Sequence, residues 1–374
     1  MRIQLQYLYN FKKLALKMHF EYHFLLHLTH NSQLIEMDFF EYKVRNGDTL
    51  HSVSFRLGMT SEELRLFHNS RCKRIDTIWF ENLNGIQKLI VPLNFKTERQ
   101  KDQEKQKTLP PIKLPDSFFL STYHISQTFE TSMENHFMIN YTVQVGICEY
   151  KIENHYVLTL KQKNFETNGE IPDDKAGSLS VACIESIMPI DFILSDTGNI
   201  IGFADHESTI QKFKEKRTDL EEFFIGPICK MYLDTFLDNI SDREYFLRQF
   251  RSTLLFQTLF PKMEWFHKRS AWTEKFCFFQ NSFPVQCLME AEYEDEDPDY
   301  IITVLKGKIT DSCSLQELKR GIPFEAATEQ PASGEISLQY TTHKHHKTLY
   351  QAESSLSLWH EDALVQKHSI TITQ

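Results

Sequence analysis

Between Phe40 and Pro92 the spacing of apolar positions changes rhythm three times. Tyr42 and Val44 alternate with polar neighbours, as in a short strand, and Asn46-Gly47-Asp48-Thr49 follows as a tight bend. Leu50, Val53, Phe55 and Leu57 then recur on what reads as one helical face, up to Gly58, a residue suited to the left-handed position just past a helix. Thr60-Ser61-Glu62-Glu63 has the form of a capping box and opens a second helix carrying Leu64 and Phe67. The run Leu89-Ile90-Val91-Pro92 closes the stretch as a strand. The pattern predicts strand–helix–helix–strand over residues 38–95.

Residues 96–117 break the rhythm. Twelve mostly polar and charged residues lead into Pro110-Pro111 and Pro115, a composition that buries no core and predicts a mobile linker. Beyond it the period becomes two. Segments 121–130, 137–150, 153–166 and 178–196 are rich in β-branched and aromatic residues, separated by turn signals such as Asn168-Gly169 and Thr197-Gly198-Asn199. The last of these predicts a tight hairpin. Three helices are expected next: 206–223 capped by Asp205, a second from Gly226-Pro227 to about Asn239, and a third over 242–259 with Ser241 and Glu244 as its capping box. Alternation resumes at 273–280, 284–293, 300–309, 335–343, 347–359 and 364–373. The expected class is therefore α+β: a small βααβ domain at 38–95, a linker, and a larger antiparallel β-sheet domain at 118–374 with a three-helix insert at about 206–259.

Composition adds to this picture. The chain has 374 residues, 41% hydrophobic, with thirty Phe, which is material for a large core. Residues 118–374 carry 23 Lys/Arg against 38 Asp/Glu, so this part repels phosphate backbones and nucleic acid is not an expected partner. The seven cysteines are scattered and odd in number, which reads as reduced thiols in a cytoplasm-like compartment, with Cys277–Cys287 as the one pair close enough in sequence to consider. The apolar run Leu14 to Leu28 is interrupted by Lys17, His19, Glu21, His23 and His27, unlike a secretory leader or a membrane span. Residues 1–37 read as an extension, disordered or not translated, with Met37 as the expected start. Cytoplasmic synthesis follows, with a dedicated secretion apparatus as the alternative route outward.

The stretch Tyr42-Lys-Val-Arg-Asn-Gly-Asp-Thr-Leu50 and the element order around it resemble a LysM domain, the small module that binds N-acetylglucosamine-containing glycans. The resemblance covers residues 40–92 only. It implies a shallow glycan groove between the first strand–helix loop, here Gly47, Asp48, Thr49 and Leu50, and the loop before the last strand. That second loop departs from the family pattern. His68 stands where an Asn is usual, with Asn69 one beyond, and Gly-Gln-Lys-Leu becomes Ile86-Gln87-Lys88-Leu89 with Gly85 displaced by one. Segment 70–84 is longer than usual and contains Trp79 and Phe80, one of them expected in the small core and the other left open as a stacking surface. The glycan- or partner-binding residues expected are Gly47, Asp48, Thr49, Leu50, His68, Asn69, Trp79, Ile86 and Gln87.

No motif for catalysis stands out. There is no Gly-x-Ser-x-Gly, no His-Glu-x-x-His and no Gly-rich phosphate loop. Cys229 reads as helix core beside Met231 and Phe236, not as a stabilised thiolate. His343, His345 and His346 read as an exposed hairpin turn, and the acidic run from Glu290 to Asp299 lacks calcium-loop spacing. No enzyme, cofactor, metal site or transmembrane segment is expected. The leading expectation is a non-enzymatic LysM-containing protein that binds peptidoglycan or a related N-acetylglucosamine polymer. The alternatives are an adaptor in a type VI-like contractile secretion system that docks protein through the same module, and a carrier of an apolar ligand in the C-terminal sheet.

Overall fold

A computed structural model describes residues 39–93, 106–131, 136–152, 155–323, 330–361 and 363–374. The expected extension at 1–37 lies outside these residues. The chain divides into two compact units between Gln103 and Glu104.

In the first unit, β1 (Phe39–Lys43) pairs antiparallel with β2 (Lys88–Pro92), Tyr42 opposite Leu89. Between them run α1 (Leu50–Leu57), α2 (Ser61–Asn69) and a 3-10 turn at Arg74–Asp76. Thr49 and Thr60 cap the two helices, each in a reciprocal bond with the residue three positions on, Ser52 and Glu63. Gly58 ends α1 at φ +71°, where a side chain would be strained. Leu50, Val53, Leu64, Ile78, Leu83, Leu89 and Val91 make the core. Phe55 is not part of it and stands 78% exposed. Helical geometry explains the correction: the face that holds Leu50 continues to Val53, Ser54 and Leu57, and a residue five positions on points away from it.

The second unit is built on one antiparallel sheet. Its described strands are β3 (Thr122–Thr131), β4 (His136–Ile152), β5 (His155–Thr167), β6 (Ile190–Leu194), β7 (Ile200–Phe203), β8 (Trp272–Phe276), β9 (Val285–Glu294), β10 (Tyr300–Ile309), β11 (Ser333–His343), β12 (Leu349–His360) and β13 (Ala363–Thr373). The order across the sheet is β7-β6-β5-β4-β3-β13-β12-β11-β10-β9-β8. The first and last strands thus meet mid-sheet, Ile125 opposite Ile372, and the chain meanders outward to an edge on each side. The polypeptide passes from edge strand β7 to edge strand β8 through α4 (His206–Phe223), α5 (Pro227–Ser241), α6 (Arg243–Ser252) and α7 (Leu254–Leu259). Phenylalanines join helices to sheet: Phe192 and Phe203 of β6 and β7 lie 5.2–6.2 Å, ring to ring, from Phe246, Phe250 or Phe256. Such aromatic pairs add to the burial energy through edge-to-face and offset contacts.

Three local expectations need correction. Residues 178–196 are not one strand-rich segment: α3 (Lys175–Ile187) precedes β6, capped by the Asp174 carboxylate and burying Leu179, Cys183 and Ile187 at fourfold spacing. The expected helix over 242–259 is two, because Thr253 leaves helical geometry and caps α7 with its hydroxyl, and Asp242, not Ser241, caps α6. A short helix, α8 (Leu315–Arg320), adds to the expected elements, opened by a capping box of Ser314 and Glu317.

The second half of the expected linker also belongs to the large unit. Leu109 and Leu114 are buried, the Leu114 N–H donates to the Asp196 carbonyl, and the Pro110 carbonyl accepts from His267 Nε2 at 2.7 Å. Pro110 has no N–H to satisfy, and its carbonyl is the group that makes the bond. Residues 96–105 of the linker lie outside the described residues. The Thr197-Gly198-Asn199 hairpin forms as expected, with Gly198 at φ +89°. All seven cysteines are free, Cys277 and Cys287 included. Among the described residues no helix is long and apolar enough to cross a membrane.

Candidate functional site

The loop between β1 and α1 is fixed from within. Gly47 takes φ +89° with open space around it, which lets the chain turn sharply and return to α1. The Asp48 carboxylate accepts from the Arg45 N–H and the Tyr42 hydroxyl, each at 2.8 Å, and from the Arg56 guanidinium. The Arg45 backbone bond, then Tyr42 and Arg56, hold its pKa below the usual carboxylate value. Asp48 is therefore a brace for the loop. Thr49 caps α1, and Leu50 is fully buried.

Segment 79–82 lies beside this loop. The Leu50 N–H donates to the Glu81 carbonyl at 3.0 Å, and Thr49 bridges Asn82. His68 and Asn69, at the end of α2, hold the segment's near side. His68 is 1% exposed; its Nδ1 accepts the Ile90 N–H and its Nε2 donates to the Asp76 carbonyl, both at 2.9 Å. Asn69 grips the backbone of Ile78 from both sides, its amide donating to the Ile78 carbonyl and its Oδ1 accepting the Ile78 N–H.

The consequence appears one residue later. Ile78 turns into the core, while Trp79 and Phe80 stand 73% and 72% exposed. Neither aromatic covers the core, contrary to the expectation for one of them, because Ile78 and Leu83 already fill that space. The result is two exposed aromatic side chains on the segment next to a polar, hydrogen-bonded loop. Of the other expected residues, Ile86 packs on the core, and Gln87 is exposed while its carbonyl accepts the Val44 N–H. The nine residues therefore separate by role. Thr49, paired with Asn82, and Leu50, bonded to Glu81, bring the first loop against the segment that carries Trp79, and His68 and Asn69 anchor the start of that segment. Phe80 and Asn82 belong to the same segment and were not among the expected site residues. The Trp-Phe pair in a long insert was the signal for Phe80; nothing in the sequence marked Asn82.

In the large unit, burial pushes the Cys183 and Cys287 thiols up to about 12 and the Cys277 and Cys313 thiols up to about 11, so all four are held as neutral thiols. Cys229 is buried in α5, but Met231, expected beside it in the core, is 63% exposed. His343 uses Nδ1 to accept the N–H groups of His345 and His346, which organises the turn between β11 and β12. No protein-family model matches the chain, and no curated protein matches it.

Proposed function

We propose that residues 39–93 form a LysM-type module that binds an N-acetylglucosamine-containing glycan, peptidoglycan or a related polymer, and that the chain is a non-enzymatic binding protein. The carrying observation is the exposure of Trp79 and Phe80 next to the loop that Asp48 braces. Large aromatic faces left in water are costly unless they serve a contact, and a flat ring offers a sugar face an apolar platform. The polar backbone of Gly47–Thr49 supplies hydrogen-bonding groups at its edge. Pre-organisation by His68 and Asn69 lowers the entropy lost on binding.

The test is retention of the full chain on purified peptidoglycan at physiological salt. Trp79→Ala and Phe80→Ala are each expected to weaken retention about five- to thirtyfold, the range for an aromatic anchor worth ~1–2 kcal/mol. Absence of retention by the unaltered chain removes this reading. The adaptor reading, docking to protein within a contractile secretion apparatus, gains support from further exposed apolar side chains in the same unit, Phe55 at 78% and Ile75 at 88%. It predicts that Phe55→Ser or Ile75→Ser impairs partner capture without altering glycan retention.

A further inference from the structure

A cavity of about 780 Å³ lies in the large unit between the strands β3, β4, β5, β12 and β13 and the helices α3, α5, α6 and α7. Three features of it point to one ligand class.

Its lining is largely apolar, with uncharged polar side chains among it. Phe129, Phe137, Ile139 and Phe165 line it from the sheet, Ile184 and Phe236 from the helices. None of the described residues lining it is Asp, Glu, Lys or Arg. Burial pushes His368, its only imidazole, down to about 4, so this ring is neutral at ordinary pH. An ionised headgroup seated here has no counter-charge, which costs several kcal/mol.

The second feature is a polar row on the sheet side. His368 Nε2 donates to Gln127 Oε1 at 2.8 Å, and Gln127 Nε2 donates to the Tyr141 hydroxyl. His368 stacks on Phe129 and Tyr141 on Phe165, with centroids 4.1 and 5.1 Å apart, which fixes both ends of the row. The Tyr141 oxygen accepts from Gln127, and no acceptor for its own proton is found among the described residues. The row therefore ends in a donor that can be offered to an uncharged carbonyl oxygen.

The third is an apolar elbow at the rim. Where α4 turns into α5, Phe223, Ile225, Ile228 and Met231 are 63–78% exposed, and Ile171 is 78% exposed. Two bonds tie the elbow to α3, the helix on one side of the cavity. Lys175 Nζ donates to the Ile225 carbonyl at 2.6 Å, and the Tyr232 hydroxyl donates to Ser180 Oγ at 3.1 Å, both of the latter lining the cavity. Apolar side chains gathered this way suit contact with a lipid surface.

We propose that the large unit binds a lipid with a hydrocarbon chain and an uncharged ester or amide head, taken up from a lipid surface at the α4–α5 elbow, with the Tyr141 hydroxyl donating to the ester or amide carbonyl. This inference is independent of the glycan reading, which concerns the other unit. The experiment uses the full chain and a hydrophobic naphthylamine reporter whose fluorescence rises in apolar sites. Monopalmitoylglycerol is expected to displace the reporter at least tenfold more effectively than palmitate, which has the same chain and a charged head. Tyr141→Phe keeps the ring and is expected to weaken monopalmitoylglycerol about three- to tenfold, the effect of one lost hydrogen bond; an unchanged affinity overturns the carbonyl contact. Ile184→Trp, which fills the cavity, is expected to abolish reporter binding with the thermal transition retained; should that variant fail to fold, Val181→Phe takes its place. Failure of the reporter to bind, equal displacement by palmitate, or full binding by a folded cavity-filled variant overturns the proposal. Ile228→Ser with Met231→Ser is expected to slow uptake from phosphatidylcholine vesicles carrying monopalmitoylglycerol, with displacement by dispersed ligand unchanged; an unchanged rate overturns the elbow's part in it.

Discussion

Replacing His68 by Phe separates a residue that holds the small unit together from one that touches a ligand. The side chain is 1% exposed and makes two hydrogen bonds across the unit, accepting from Ile90 N–H on β2 and donating to the Asp76 carbonyl. Phe has no atom that can do either. It leaves one backbone donor and one backbone acceptor without a partner, at about 1–3 kcal/mol for a buried group. Ile90 and Asp76 are themselves half-buried, so water recovers part of the loss, and the lower end applies: about 1 kcal/mol each, ~2 kcal/mol in sum. A strand of five residues closes this unit, and its core is small, so this is a large share of its stability. Hydrogen exchange of the full chain, followed by mass spectrometry, reads the effect by segment. A loss of ~2 kcal/mol speeds exchange about thirtyfold in peptides from α2 and β2 and leaves those from the β3–β13 sheet unchanged. Unchanged exchange in the small unit together with lost glycan retention would refute the reasoning and make His68 a contact residue.

Three further outcomes follow from the large unit. A Cβ on Gly334 of β11 would stand 2.5 Å from Ile309 Cδ1, 2.9 Å from Leu358 Cδ2 and 3.0 Å from Phe278 Cε1, so Gly334→Ala crowds side chains of β10, β12 and the loop after β8 and costs about 1–3 kcal/mol, read as a fall of several degrees in the thermal midpoint of this unit. The Tyr340 hydroxyl is fully buried with no partner among the described residues, so Tyr340→Phe is expected to leave the stability of this unit unchanged or raise it by up to ~1–2 kcal/mol, with the thermal midpoint held or increased; a clear fall in the midpoint contradicts the assignment. His368 has a folded pKa of about 4, below its ordinary 6.5, so between these values the unfolded chain binds more protons than the folded one. Stability from this group is present above pH 6.5 and is lost as pH falls towards 4, a change of order 1–3 kcal/mol that urea titrations of His368→Gln should lack.

The candidate glycan region shows how far residue type can be trusted. Gly47 and Gly58 were legible because each answers a local backbone need, a positive φ and a left-handed helix end; the cap of α1 was not, because Asp48 turns its carboxylate to Tyr42, Arg45 and Arg56 and Thr49 takes the capping place. His68 and Asn69 were legible as unusual residues, but not as clamps, because their partners Ile90, Asp76 and Ile78 lie eight to twenty-two residues away. The exposure of Trp79 and Phe80 followed from which neighbour filled the core, and that was decided by Ile78 and Leu83. In the large unit, alternation located most strands, yet α3 was hidden because its apolar residues also fit a strand-rich reading.

By itself the sequence determined the local matters: the changes of period, the caps at Thr60 and Asp205, the hairpin at Gly198, and a second part built chiefly from alternating strands. These depend on interactions within a few residues of chain. Tertiary structure alone decided that β3 pairs with β13, that the proline segment after residue 105 straps onto the sheet, and that Gln127 meets His368 across 241 positions. Such pairings are set by which apolar faces find each other when the chain collapses, and hydrophobic burial carries no direction along the sequence. The exposed Trp79 and Phe80 on the small unit and the uncharged cavity in the large one both arise at that second level.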